Sequence, residues 1–253
     1  MIFTRTEGQG SEPLVLVHGW GFDHTVFDPW LPALTDRWRV TRVDLPGHGR
    51  SPASGAAGGL TEWAAAIRQA IPEDALWAGW SLGGLPLLQA VIDGARPRAL
   101  LLLAASPCFC QRPDWPHGVP AADLDAMVHG LDAAPEATVH RFRTLLGRGG
   151  VADRRALKPW RRRPCASPEA LRAGLVLLRD TDLRAGLAAV DRPACWLAGD
   201  SDPLIPRAAA AWGARAMPRG EIAYHPRAGH LPFLTHPEWA TDALQALSRQ
   251  SRS

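Results

Sequence analysis

Long apolar runs are missing from this chain of 253 residues. Although 46% of it is hydrophobic, no stretch stays apolar over the roughly 20 residues that a membrane-crossing helix needs. The start, Met1-Ile2-Phe3-Thr4-Arg5-Thr6-Glu7-Gly8, lacks the basic segment and apolar run of a secretory signal. A cytoplasmic protein without a membrane partner is expected. Cysteine is sparse. Of Cys108, Cys110, Cys165 and Cys195, the first two are too close for an easy bridge and there is no second pair at C-x-x-C spacing, so free, mostly buried thiols are expected. No histidines stand at H-x-x-x-H or H-E-x-x-H spacing, which argues against a catalytic zinc. Phosphate-binding glycine motifs are also absent, so neither a metal nor a cofactor is expected. Internal repeats and low-complexity tracts are lacking; 53–59 is a loop of small residues.

Lysine is nearly absent. Lys158 is the only one among 28 basic residues. Between positions 141 and 172 stand ten basic residues (Arg141, Arg143, Arg148, Arg154, Arg155, Lys158, Arg161, Arg162, Arg163, Arg172) against Asp153 and Glu169. Such a surplus is either a solvated helical face or an attraction for an acidic partner. No nucleic-acid-binding module accompanies it, and nucleic acid is not an expected partner.

What is present is alternation. Short apolar runs at 14–18, 40–44, 75–80, 99–105, 194–199 and 221–224 have helical segments between them, which implies an α/β domain with a mostly parallel sheet covered on both faces. From about 111 to 190 the rhythm breaks and helices are expected at 121–131, 135–146 and 167–183. Ser167-Pro168-Glu169 reads as a helix start, with serine as N-cap and proline at the first position. The expected organisation is a core from 1–110 and 191–253, with 111–190 inserted as an all-helical cap.

The segment Gly79-Trp80-Ser81-Leu82-Gly83 sits between an apolar strand and a helix. That is the context of a nucleophile elbow, in which a serine occupies a strained turn and small neighbours let strand and helix approach. The serine is held at a helix N-terminus, whose free N–H groups can stabilise an oxyanion. A serine hydroxyl is a weak nucleophile until a histidine takes its proton and a carboxylate orients that histidine. The strand 194–199 runs into Gly199-Asp200-Ser201-Asp202 at the sheet edge where open α/β sheets bind ligands. Asp202 is the expected acid and Asp200 its rival, the latter with an alternative turn-shaping role. The loop after the last strand carries Ala228-Gly229-His230, and His230 is the expected general base. His225 closes a strand and His236 begins the terminal helix. The order Ser81, Asp202, His230 is that of α/β hydrolases.

A tetrahedral intermediate needs two converging N–H donors beside Ser81. Leu82 supplies one; Trp20, in His18-Gly19-Trp20-Gly21, is the candidate for the other. His18 reads as a structural hydrogen bond under that loop. Asp44-Leu45-Pro46-Gly47-His48-Gly49-Arg50-Ser51 is a loop-shaping segment without an assigned chemical role.

Over nearly its whole length the sequence resembles the pimeloyl-(acyl-carrier protein) methyl ester esterases of biotin synthesis. The likeness rests on His18-Gly19-Trp20-Gly21, Gly79-Trp80-Ser81-Leu82-Gly83-Gly84, Ser106-Pro107-Cys108-Phe109 with Trp115-Pro116, Gly174-Leu175 with Thr181-Asp182-Leu183-Arg184, and Gly229-His230-Leu231-Pro232-Phe233. The resemblance implies an α/β-hydrolase fold and hydrolysis of a methyl ester at the far end of an acyl chain borne by acyl carrier protein. Trp20, Trp80, Leu82, Phe142 and Leu146 can line an apolar slot for such a chain. Arg141 and Arg155 match basic positions of the family that would seat an acidic carrier. A further arginine of relatives on the Phe142 helix is replaced by Ala137. A monomer is expected. The other readings are a general short-chain carboxylesterase without carrier dependence, a cofactor-free haloperoxidase, an acyltransferase, or a non-catalytic binding protein on a hydrolase scaffold.

Overall fold

The computed structural model describes residues 1–53 and 58–252; positions 54–57 of the expected small-residue loop lie outside the described residues. Seven strands form one sheet: β1 (Thr4–Glu7), β2 (Glu12–Val17), β3 (Trp38–Val43), β4 (Leu76–Trp80), β5 (Ala99–Leu103), β6 (Ala194–Gly199) and β7 (Gly220–His225). Their spatial order is β1-β3-β2-β4-β5-β6-β7. Every neighbouring pair is parallel except β1 with β3, where Thr4 opposes Val43 and Glu7 opposes Val40. The central strands β4 and β5 are buried along their entire length, as strands covered on both faces must be. That is why they read as continuous apolar runs. β1 was not expected, because four polar and half-exposed residues on a sheet edge carry no apolar signal.

Helices α1 (Leu60–Ala70), α2 (Gly84–Ile92), α7 (Arg207–Ala216) and α9 (Pro237–Gln250) cover the sheet, with a short α8 (Pro232–Thr235) before the last. α2 packs on β4, α7 on β6 and β7, and α9 on β5 and β6. Between β5 and β6 lie α3 (Ala121–Ala133), α4 (Pro135–Leu146), α5 (Val151–Ala156) and α6 (Pro168–Asp180). Among the described residues no strand occurs in this stretch, only isolated bridges. The Ser167 hydroxyl accepts from the Ala170 N–H at 3.2 Å, which starts α6 as its sequence predicts. α5 was not expected; it is a single polar turn and a half behind Gly149-Gly150. No described helix is long and apolar enough to cross a membrane, and all four cysteines are free and buried.

Buried polar groups fasten the loops at the C-terminal edge of the sheet. Asp44, fully buried after β3, accepts from the His24 backbone N–H at 2.7 Å and the Arg50 N–H at 2.8 Å, and pairs with His24 Nδ1 at 2.9 Å. Burial alone would raise its pKa, but these hydrogen bonds and neighbouring His18 hold it below the usual carboxylate range. His18 accepts from the Leu45 N–H through Nε2 at 3.0 Å, which leaves Nδ1 to donate to the Gly19 carbonyl at 2.9 Å. It is the structural histidine that the sequence implies. The Asp44 segment also reaches the helical insert: Gly49 N–H donates to the Cys165 carbonyl at 2.7 Å, and Ser167 N–H to that of Gly47 at 3.0 Å.

Burial pushes the pKa of His18 down, and that of His48 down to about 3. Both rings stay neutral in the folded chain while they protonate in the unfolded one below their ordinary 6.5. Their stabilisation is therefore complete above pH 6.5 and is lost as pH falls below it, for His48 down to about 3. Denaturant unfolding at stepped pH should show stability dropping by about 1.4 kcal/mol per pH unit from His48 between its ordinary 6.5 and about 3, with His18 acting in the same direction.

Candidate active site

Ser81 directly follows β4 and has a left-handed backbone, φ 52°. An L-residue resists this conformation by about 1–2 kcal/mol, so the surroundings must enforce it. They do so by backbone-to-backbone packing. A Cβ on Gly79 would lie 2.7 Å from the Gly83 carbonyl oxygen and the Gly84 Cα, and one on Gly83 would lie 2.5 Å from the carbonyl oxygens of Val17 and His18. Only glycine fits at either position. The tight turn Ser81–Gly83 leads straight into α2, leaving the Ser81 side chain and the Leu82 N–H at a helix N-terminus.

The candidate acid and base, Asp202 and His230, lie on loops after β6 and β7. His230 Nδ1 lies 2.8 Å from Asp202 Oδ2, both side chains essentially inaccessible. Asp202 Oδ1 accepts from the N–H groups of Leu204 at 2.8 Å and Ile205 at 3.1 Å, which fixes the carboxylate. Asp200, the rival, is 41% exposed and faces Arg207 at 3.9 Å. With Nδ1 engaged, Nε2 is the nitrogen that remains for a hydroxyl, and it is buried without a hydrogen-bond partner. Trp80 ties this loop to the elbow by donating from Nε1 to the His230 carbonyl at 2.7 Å. His225 and His236 stack on each other at 4.2 Å, apart from the pair.

The Gly19 backbone, just before Trp20, abuts the serine: a Cβ on Gly19 would lie 3.1 Å from Ser81 Cβ. The Trp20 side chain turns to the insert. Its Nε1 donates to the Leu171 carbonyl of α6 at 2.7 Å, and its ring meets Phe142 of α4 edge-on at 4.8 Å. A Cβ on Gly174 of α6 would lie 2.7 Å from Trp20 Cδ1 and 3.1 Å from Leu82 Cδ2. Trp20, Leu82 and Phe142 therefore converge beneath α4 and α6, and Leu146, one turn beyond Phe142, is fully buried. Trp80 is set apart from them, its ring packed among Phe22, Phe233 and His230. Cavities of about 790 and 520 Å³ flank the 163–166 segment, and none of Ser81, Asp202 or His230 lines either.

Similarity to known proteins agrees with this geometry. The alpha/beta hydrolase family model matches residues 14–243. Pimeloyl-(acyl-carrier protein) methyl ester esterase of Aromatoleum aromaticum is 39% identical over 236 residues, covering 89% of this chain and 93% of that protein. The Klebsiella pneumoniae protein of the same name is 38% identical over 251 residues, covering 97% of each. The chain belongs to this esterase family within the alpha/beta hydrolases. Among solved structures, an esterase from Exiguobacterium antarcticum superposes with a TM-score of 0.87 at 23% identity, over 100% of this chain and 96% of that one. A bromoperoxidase from Bacillus anthracis gives 0.88 at 23% identity, over 98% and 95%. At such identities these two speak for the fold alone.

The structure corrects one part of the basic surplus. Arg143 does not belong to a charged face: it is 1% exposed, and its guanidinium donates to the carbonyls of Gly21 (Nε, 3.1 Å), Arg163 (2.8 Å) and Trp160. It clamps the insert to the loop that follows Trp20. The signal was available, since Val139, Phe142, Arg143 and Leu146 follow i, i+3, i+4, i+7 spacing on the buried side of α4. Arg141 and Arg155, by contrast, are exposed. Arg143→Leu leaves three carbonyls without their donor and should cost about 3 kcal/mol of stability, measured by urea unfolding; a loss below about 1 kcal/mol would refute the clamp.

Proposed function

We propose that the chain hydrolyses the methyl ester of a pimeloyl group carried on acyl carrier protein, in the cytoplasm and as a monomer, releasing methanol and the free carboxylate. Ser81 Oγ attacks the ester carbonyl carbon while His230 Nε2 takes its proton. The oxyanion of the tetrahedral intermediate accepts from the N–H groups of Leu82 and Trp20. On collapse the carbon–oxygen bond to methanol breaks and His230 returns the proton to the leaving oxygen. Water then attacks the acyl-enzyme by the same base, and Ser81 is regenerated. Asp202 keeps the His230 tautomer and stabilises its imidazolium. The observation that carries this reading is the buried Asp202–His230 pair, whose unpartnered Nε2 belongs to a loop tied to the elbow through Trp80.

Residues 111–190 act as a cap over the core of 1–110 and 191–253. Trp20, Leu82, Phe142 and Leu146 line the acyl slot, with Trp80 supporting it from behind. Arg141 and Arg155 receive the acidic carrier on the outer surface of the cap. Support for the substrate comes from the family relatives, whose names state it.

Ser81→Ala should abolish ester hydrolysis with the fold intact by circular dichroism; more than about a hundredth of wild-type kcat would sink the assignment. Asp202→Asn should lower kcat by roughly 10⁴-fold and Asp200→Asn far less. The reverse order would move the acid to Asp200.

The double change Arg141→Glu with Arg155→Glu should raise KM for a carrier-bound ester at least about tenfold and leave a free short-chain ester nearly unaffected. Comparison of the two substrates at about 0.01 M and 0.15 M salt checks it, because screening shortens from roughly 30 Å to 8 Å. Equal losses on both esters would favour a general short-chain carboxylesterase.

A further inference from the structure

The first turn of α5 carries an acid into the interior. Asp153 is 2% exposed and its Oδ1 has no hydrogen-bond partner. The carboxyl group is wedged against the loops that bear the candidate triad. A Cβ on Gly229 would lie 2.7 Å from Oδ1 and 2.9 Å from Oδ2, and one on Gly149 would lie 3.0 Å from Oδ2, from the Gly229 Cα and from the Ser201 carbonyl oxygen. Gly229 directly precedes His230, and Ser201 directly precedes Asp202. A second carboxyl group besides that of Asp202, delivered by the insert, is thus packed on the loop of His230, with Gly149 between it and the Ser201 carbonyl.

Favouring a helix N-terminus does not explain this burial. The first-turn acids of α3, α4 and α6, namely Asp123, Glu136 and Glu169, all remain exposed. A buried carboxylate without a cationic partner is costly, and the basic neighbours do not offer one: Arg154 donates to the Gly147 carbonyl and Arg155 is exposed. α8, which packs on α5, carries no ionisable side chain in Pro232–Thr235. The charged groups that act on Asp153 are Asp202 and His230. Burial pushes its pKa up to about 6; its own N–H, His230 and the Leu231 N–H oppose that rise and Asp202 adds to it.

We propose that Asp153 is a positioning residue for the general base: it seats the loops of Asp202 and His230 while the insert is docked, and when ionised it sets a second negative charge near the imidazole, favouring the imidazolium. The role rests on the reading of Ser81, Asp202 and His230 as a triad. It makes the basicity of the site depend on whether α5 is in place, since no residue of the core supplies this charge.

The test replaces the charge and keeps the shape. In the Ser81→Ala protein, the His230 ring titration is followed by nuclear magnetic resonance with and without Asp153→Asn. The midpoint should move to lower pH by about half a unit or more, because an opposite charge within several ångströms favours the charged ring. On a free short-chain ester, the acid limb of kcat/KM of Asp153→Asn in otherwise unchanged enzyme should move the same way. A midpoint that stays or rises overturns the proposal. If Asp153→Asn does not fold, the Asp153 carboxyl carbon of the Ser81→Ala protein is titrated instead. Its midpoint should rise when His230→Gln removes the imidazolium, and an unmoved midpoint again overturns the proposal. The ring titration is independent of turnover, so failure of the esterase reading, seen as an active Ser81→Ala, is told apart from failure of this one.

Discussion

Backbone pressed on backbone at the elbow is the constraint from which the rest of the site follows. Gly79 and Gly83 bring the end of β4, the start of α2 and the end of β2 together so closely that no side chain intervenes. That contact holds Ser81 in its left-handed conformation and fixes where a helix N-terminus meets the serine. The His18–Gly19 loop must then lie beside the same residue, and its own histidine is used up in bracing Leu45 and Gly19. The strain in one residue is carried by many ordinary contacts, each of them in the most deeply buried part of the sheet.

Around that fixed point the chain closes its site from three directions. The loops after β6 and β7 bring Asp202 and His230, joined to each other and to Trp80. The insert brings α4 and α6 over Trp20 and Leu82, with Gly174 permitting the approach. Arg143 secures the assembly through backbone carbonyls and the face of the Phe22 ring, without a carboxylate partner among the described residues. A cation satisfied in this way carries a desolvation cost that a salt bridge would share, but it binds three segments at once, which no single carboxylate can do.

Much of this was legible in the sequence because the physics is local. Strands buried on both faces announce themselves as apolar runs, Ser167-Pro168 announces a helix start, and the elbow needs its glycines at fixed offsets from Ser81. Asp202 and His230 could be chosen because each sits just beyond an apolar strand, at the edge where ligands gather. What escaped was set by tertiary contact. β1 is polar and short, and only its pairing with β3 makes it a strand. Arg143 counts as one more charge in the sequence until helical spacing puts it on the inner face of α4. Asp153 looks like an ordinary first-turn acid, and only Gly229, far away along the chain, shows what its carboxyl group is packed against.

Trp20 touches both halves of the machinery. The Gly19 backbone just before it lies against Ser81, while its indole is bonded to Leu171 and meets Phe142 edge-on, both in the insert. Ser81 itself is only 4% exposed. A change in α4 or α6 is therefore felt, through one indole, at the loop whose Gly19 lies against the serine.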